Sequence, residues 1–241
     1  TDRLPGCPPT TTLAPMTTLA VSLLGRPQLE IEGTRVRIGS RPLQLVVRLA
    51  IAPRHAATAS RIAADLWSGV DGANGTLRVT MSRARDAVGR DRITQAAGTY
   101  TLVDVRLDTD EFEFDLAAAR RSDRLVVERI ADYQSALARW RGPSFDGLQH
   151  LDWAGPTARR FDELREQAFN EWAVLLLRAG DDDRVIAELG SRLSDDPTRE
   201  RRCRLVTLAY YRRGDQSAAL ATIDRTRRTL REELGLSLGG D

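Results

Sequence analysis

The run Thr76–Gly89, TLRVTMSRARDAVG, constrains the fold of this chain more than any other stretch. Wound at about 3.6 residues per turn, it gathers Leu77, Met81, Ala84 and Val88 into one apolar stripe that asks for burial. The opposite face carries Val79, Ser82, Arg83 and Asp86, with Thr76 and Thr80 toward one edge and Arg78 and Arg85 along the other. Arginine pairs bidentately with guanine, and a branched apolar side chain can meet the thymine methyl, so this second face has the chemistry of major-groove readout. The segment that follows, RITQAAGTYTLV from Arg92, alternates in strand fashion around Gly98. A helix with a basic outer face followed by a hairpin is the closing order of a winged helix-turn-helix.

Charge supports that reading for one half of the chain only. Residues 18–106 hold 13 arginines against 7 acids, a net of +6, whereas residues 107–241 hold 22 against 26, a net of −4. The basic half coincides with the winged pattern and reads as a polyanion-binding footprint. All 36 basic residues are arginine. Without lysine there is no P-loop amine for a nucleotide phosphate and no amine for Schiff-base chemistry. With 41% hydrophobic and 5% aromatic residues, the 241-residue chain can build one large or two ordinary domains packed with Leu, Ala and Val. Cys7 and Cys203 lie far apart, and there is neither a signal-peptide pattern nor an apolar run of membrane-spanning length. The expectation is a soluble protein of the reducing cytoplasm, associated with the nucleoid and not with a membrane.

Along the chain, residues 1–18 are rich in Pro and Thr without periodicity and read as a disordered tail. Strands are expected at Leu19–Leu24, Leu29–Glu32 and Arg35–Ile38, then a helix from Arg41 to Ala52 that Pro53 stops. Ser60 is the expected N-cap of a helix over Arg61–Trp67, and the two-faced helix should begin near Asn74. After Asp108 the pattern is helical. RAGDDDRVIAEL recurs 34 residues later as RRGDQSAALATI, with Gly180 and Gly214 in register. That spacing is the tetratricopeptide period. Helices at Asp123–Trp140 and Pro156–Ala179 are expected to form a degenerate earlier pair, with Trp153 and Trp172 in the core.

The motifs VSLLG at Val21, LEIEG at Leu29, RPLQLVVRLAI at Arg41, SRIAADLW at Ser60, RVTMSRAR at Arg78 and TYTLV at Thr99 carry a closer likeness. The span Ala20–Leu102 resembles the winged-helix DNA-binding domain of the OmpR and PhoB class. With ALARWRGP and EELGL further on, the rest is similar to the bacterial transcriptional activator domain of the Streptomyces antibiotic regulatory protein family. The chain departs from that pattern at Ala84, usually leucine, at Asp86, usually basic, and at Thr99 and Thr101, where a glycine and an arginine flank the wing tyrosine. The fold class expected is α+β then all-α. Residues 19–106 would form a winged helix-turn-helix with a small β-sheet and wing, and residues 107–241 a tetratricopeptide-like domain. The resemblance implies a non-enzymatic transcriptional activator that binds direct repeats in double-stranded DNA, as a homodimer on those repeats. It also implies contact with RNA polymerase including its sigma factor, and control of secondary-metabolite genes.

On this reading Arg83 and Val79 are the base readers, and Arg78, Arg85, Arg92, Thr76 and Thr80 are phosphate or flanking contacts. The wing residues Thr99 and Tyr100 complete the set. A rival reading makes the chain a helical-repeat scaffold or sensor whose winged helix touches protein. No cofactor is implied. His55 and His150 share no ligand spacing, so no metal site is legible. The acidic runs Asp181–Asp183 and Asp195–Asp196 suit helix N-termini, the second with Pro197 as first helical residue. A literal G-x-S-x-G at Gly235–Ser237–Gly239 is a decoy, because no acid–histidine pair follows it.

Overall fold

The computed structural model describes residues 18–67 and 73–235, so residues 1–17 of the expected tail and Ser237 of the decoy motif lie outside the described residues. The chain divides into two compact units. One runs to Leu23 and resumes over Pro27–Leu107; the other takes Leu24–Arg26 and the chain from Asp108 onward.

In the first unit, β1 (Leu19–Ser22) pairs antiparallel with β2 (Gln28–Ile31), which pairs with the short β3 (Thr34–Arg35). Glu32 and Gly33, with φ of 52° and 74°, make the two-residue turn of that second hairpin. The strand β7 (Val105–Leu107) returns parallel to β1, and Leu19, Val21, Leu29 and Leu107 bury one face. The helix α1 (Ser40–Ala50) buries Leu45, Val46, Val47 and Leu49 and ends before Pro53. The Nδ1–H of His55 donates to the Ala50 carbonyl at 2.6 Å, capping that helix end. A second, three-stranded sheet places β6 (Thr99–Leu102) between β4 (Ala56–Thr58) and β5 (Ile93–Ala96).

The helix α2 (Ala59–Leu66) starts two residues earlier than the sequence suggests. Its cap is Thr58 and not Ser60; the Thr58 hydroxyl accepts from the Arg61 N–H at 3.2 Å. Thr58 wins because it is the last residue of β4, pinned opposite Thr99, so the chain leaves the sheet there. The helix α3 (Ala73–Val88) packs against both α1 and α2. A partly buried ion pair, Arg48 to Asp65 at 2.6 Å, ties α1 to α2.

Among the described residues the second unit is six helices: α4 (Asp108–Arg120), α5 (Val126–Ala138), α6 (Gly155–Ala179), α7 (Asp182–Asp195), α8 (Glu200–Arg212) and α9 (Gln216–Leu234). The 34-residue repeat is mechanical. Gly180 and Gly214 sit at φ of 79° and 81°, and Asp181 N–H and Asp215 N–H reach back to the carbonyls of Leu176 and Tyr210. Each aspartate then caps the next helix, accepting from Arg184 N–H at 3.3 Å and Ala218 N–H at 3.0 Å. One helix ends and its partner begins with only two or three residues between them.

Three sequence expectations change here. The expected packing of α5 on α6 is present, but α4 packs more closely still on α5 and so precedes that pair. Asp196 is not followed by a helix beginning at Pro197: its carboxylate accepts from Thr198 N–H and Arg199 Nε in a turn, and α8 starts at Glu200. Trp172 is buried, but Trp153 is only half-buried.

The segment Leu24–Arg26, between β1 and β2, is fastened into the helical unit. Leu24 N–H donates to Asp108 at 3.1 Å, while the carbonyls of Leu24 and Gly25 accept from the N–H groups of Arg141 and Asp146. A side chain at Gly25 would meet the Arg141 Cβ at 3.0 Å, and its φ of 143° also demands glycine.

Three helices of this unit share one polar knot. Arg120 of α4 makes a bidentate pair with Glu171 of α6, and the buried Tyr133 of α5 donates its hydroxyl to the same carboxylate at 2.8 Å. Burial, and then the Glu171 carboxylate, push the Tyr133 phenol up to about 12 from 10.0. The folded state therefore favours the protonated phenol. Its contribution is complete below the unfolded value and is lost as pH rises from 10.0 to about 12. Tyr133→Phe should cost about 1 kcal/mol at neutral pH and remove that alkaline loss. Chemical denaturation of both proteins across this range checks it; parallel declines would show that Tyr133 is not the titrating group.

Candidate nucleic-acid interface

The stripe read from the sequence of α3 is the buried one. Leu77 and Met81 are 2% exposed, and Ala84 and Val88 are fully buried. Anchoring that side leaves Thr76, Arg78, Val79, Ser82, Arg83 and Asp86 in solvent. Val79 is 53% exposed, which is unusual for a large apolar residue in the middle of a helix. Asp86 pairs with Arg90 one turn later at 2.9 Å, so the acid on this face is neutralised locally. Among the described residues, Arg78 and Arg83 have no ion-pair or hydrogen-bond partner. The exposed face thus presents two available guanidinium groups flanking a valine and a serine.

The other candidate residues do different work. Thr80 is buried, its hydroxyl donating to the Thr76 carbonyl at 2.8 Å, so it offers nothing to a phosphate. Tyr100 is 6% exposed and belongs to the core. Arg85 lies across it, 5.7 Å from the ring centroid, while its Nε donates to the Ile93 carbonyl at 2.9 Å. Arg92 folds back so that Nη1 donates to the Val88 carbonyl at 2.6 Å, satisfying the C-terminal end of α3. Arg85 and Arg92 therefore tie the helix to the hairpin, each through one guanidinium nitrogen. Thr99 is half-buried, paired with Ala96 across the hairpin and with Thr58 on its other side.

The hairpin tip is exposed from Thr94 to Gly98. Ala97 and Gly98, at φ of 46° and 75°, form its two-residue turn. A positive φ is natural for glycine and strained for alanine, so the tip holds a fixed conformation at some expense. Among the described residues no three His, Cys, Asp or Glu side chains gather as metal ligands, and no helix is long and apolar enough to cross a membrane.

A three-helix unit whose last helix is anchored on one side, basic on the other and followed by a β-hairpin is a winged helix-turn-helix, here joined to paired helices of tetratricopeptide type. Residues 107–241 match the bacterial transcriptional activator domain. The chain belongs to the Streptomyces antibiotic regulatory protein family of transcriptional regulators. It is 27% identical over 238 residues to the transcriptional regulatory protein EmbR of Mycobacterium tuberculosis, covering 92% of this chain and 60% of that protein. It is 31% identical over 165 residues to the regulatory protein AfsR of Streptomyces griseus, covering 67% of this chain and 17% of AfsR. The solved structure of M. tuberculosis EmbR in complex with a low-affinity phosphopeptide superposes with a TM-score of 0.80 at 26% identity, over 92% of this chain and 62% of that one. The chain thus spans less than two thirds of the length of these relatives.

Proposed function

We propose that this protein is a sequence-specific DNA-binding transcriptional activator and that α3 is its reader. The observation that carries the reading is the exposed Arg78–Val79–Arg83 face on a helix whose reverse side is locked into the core. The Arg83 guanidinium and the Val79 branch on one rigid rod supply guanine and thymine recognition, and Arg78 with the net charge of +6 on residues 18–106 supplies affinity for phosphate. Two copies occupy direct repeats. The helical unit, with a net charge of −4 over residues 107–241, adds little phosphate affinity and offers its stacked helices to RNA polymerase and its sigma factor. The targets are secondary-metabolite genes, the setting is the cytoplasm, and no catalysis is involved, in line with relatives named as regulators.

Selection of duplexes from a random pool by the full chain tests the first half of this reading. It should enrich a repeated motif in tandem, with binding that weakens steeply as salt rises. Placed upstream of a weak promoter, that motif should raise transcription by purified polymerase holoenzyme several-fold, and Arg78→Ala/Arg83→Ala should abolish the gain. No enrichment over the input pool would sink the DNA reading. Enrichment without transcriptional gain would leave a DNA binder that is not an activator on its own.

A further inference from the structure

One recess of the helical unit gathers arginines without matching acids. Arg120 of α4, Arg129 of α5, Arg178 of α6 and Arg201 of α8 line a space of about 260 Å3, with Val174 and Leu175 of α6 as its apolar wall. The lining holds one carboxylate, Glu171, and that group is fully engaged: Arg120 takes both of its oxygens and Tyr133 donates to one of them. Among the described residues Arg129, Arg178 and Arg201 have no carboxylate partner. Arg129 gives Nε to the Ala119 carbonyl at 2.8 Å, and Arg178 and Arg201 are exposed with no hydrogen bond to the described residues. Helix polarity accounts for Arg178, in the last turn of α6, but it opposes Arg201, in the first turn of α8. Guanidinium groups drawn to one recess without a counter-charge repel one another, and an entering anion relieves that repulsion.

We propose that this recess binds a phosphate group and that its carrier is a small phosphorylated metabolite. Guanidinium forks match phosphate oxygens in pairs, and a phosphate has enough oxygens to engage all three unpaired arginines, whereas a carboxylate has only two. A phosphate monoester at neutral pH carries about −1.5 to −2 charges, which suits a site with three uncompensated cations. The recess is smaller than the pockets of about 300–1,000 Å3 that enclose drug-sized ligands. It therefore takes the phosphate and a small body, such as one sugar, set against Val174 and Leu175. That wall favours the ester over free phosphate. Duplex DNA is the poorer occupant, because its phosphates lie on the outside of a rod and the net charge of −4 on residues 107–241 repels a polyanion. Bound here, the phosphate clips α5, α6 and α8 together and makes the stability of the helical unit depend on metabolite concentration. The inference stands apart from the DNA reading, since it concerns a ligand of the helical unit alone.

The probes are ribose 5-phosphate, inorganic phosphate and unphosphorylated ribose, titrated calorimetrically into the full chain at constant ionic strength. Both phosphates should bind saturably, ribose 5-phosphate the tighter, and ribose should not bind. Ribose 5-phosphate should also raise the melting temperature of the chain. Arg178→Gln and Arg201→Gln should each weaken binding about tenfold, and together they should abolish the melting shift. Neither change should alter the circular dichroism of the free protein, because neither side chain holds a partner among the described residues. Arg228→Gln removes the same charge from the exposed side of α9, outside the recess, and should leave binding unchanged. Absence of saturable binding by either phosphate at millimolar concentration, or equal weakening by Arg228→Gln, overturns the proposal. Inorganic phosphate binding as tightly as the ester overturns the assignment of a metabolite and makes the free anion the ligand. A double variant, Arg178→Gln/Arg201→Gln, that keeps its phosphate affinity but binds duplex DNA more weakly also overturns it, since the arginines then serve the DNA backbone.

Discussion

Replacing Arg202 with alanine is expected to destabilise the helical unit by about 3 kcal/mol. Arg202 is 4% exposed, and one guanidinium serves two partners: Nη2 pairs with Glu166 and Nη1 donates to the Arg192 carbonyl at 2.5 Å. Breaking a buried pair typically costs about 3–5 kcal/mol because the remaining charge stays desolvated. Glu166 retains 28% side-chain exposure, so water can reach it and the loss falls at the low end. Two neighbouring arginines feel the Glu166 charge but are engaged elsewhere. Arg192 stacks over Phe169 at 3.6 Å and Arg165 over Trp140 at 4.6 Å, and burial holds both guanidinium groups below the ordinary arginine range. Each is already committed to an aromatic face. Changing both partners, Arg202→Met with Glu166→Leu, should cost less than Arg202→Ala alone, since no unpaired charge is left behind. Urea unfolding followed by far-ultraviolet circular dichroism measures all three variants. A loss below about 1 kcal/mol for Arg202→Ala would place the pair among surface ion pairs of little consequence.

What could be read beforehand was whatever local spacing determines. The stripe Leu77–Met81–Ala84–Val88 needs only the helical period, and it is the buried side. Gly180–Asp181 and Gly214–Asp215 were visible at 34 residues because both residue types have fixed duties at a helix-to-helix turn, the glycine taking positive φ and the aspartate capping. The edges of α3 were not legible. Thr80 and Arg85 lie roughly 60–80° either side of the stripe's axis, where neighbours and not periodicity decide burial. Thr80 is buried on one edge, and the hairpin, reached only after the chain turns back, covers Arg85 on the other. The helix α4 falls in the stretch read as helical after Asp108 but received no bounds of its own. Its DTDEFEFDL run alternates like a strand, with Phe112 fully buried and Phe114 75% exposed.

Arg83→Ala is expected to reduce affinity for the preferred duplex by about 1–3 kcal/mol, or about 5- to 150-fold, and to relax preference at one base pair. The side chain sits at the centre of the exposed face, one turn beyond Val79, with no partner among the described residues to be released first. Any bidentate contact it makes is therefore gained without breaking another. Arg78 lies toward the edge of the same face, so Arg78→Ala should weaken all duplexes alike and reduce the salt dependence by about one phosphate contact. Arg85 provides the contrast that separates readout from support. Its guanidinium is engaged by the Ile93 carbonyl and the Tyr100 ring, so Arg85→Ala should lower the melting temperature of the winged unit. It should leave the salt slope and the base preference of the folded fraction unchanged. Affinities for preferred and scrambled duplexes at several salt concentrations, measured beside thermal melts, distinguish the three. If Arg83→Ala weakens both duplexes equally, Arg83 is a phosphate contact and the sequence is read elsewhere on the face. If Arg85→Ala flattens the salt slope without affecting the melt, its contacts with Ile93 and Tyr100 yield to DNA.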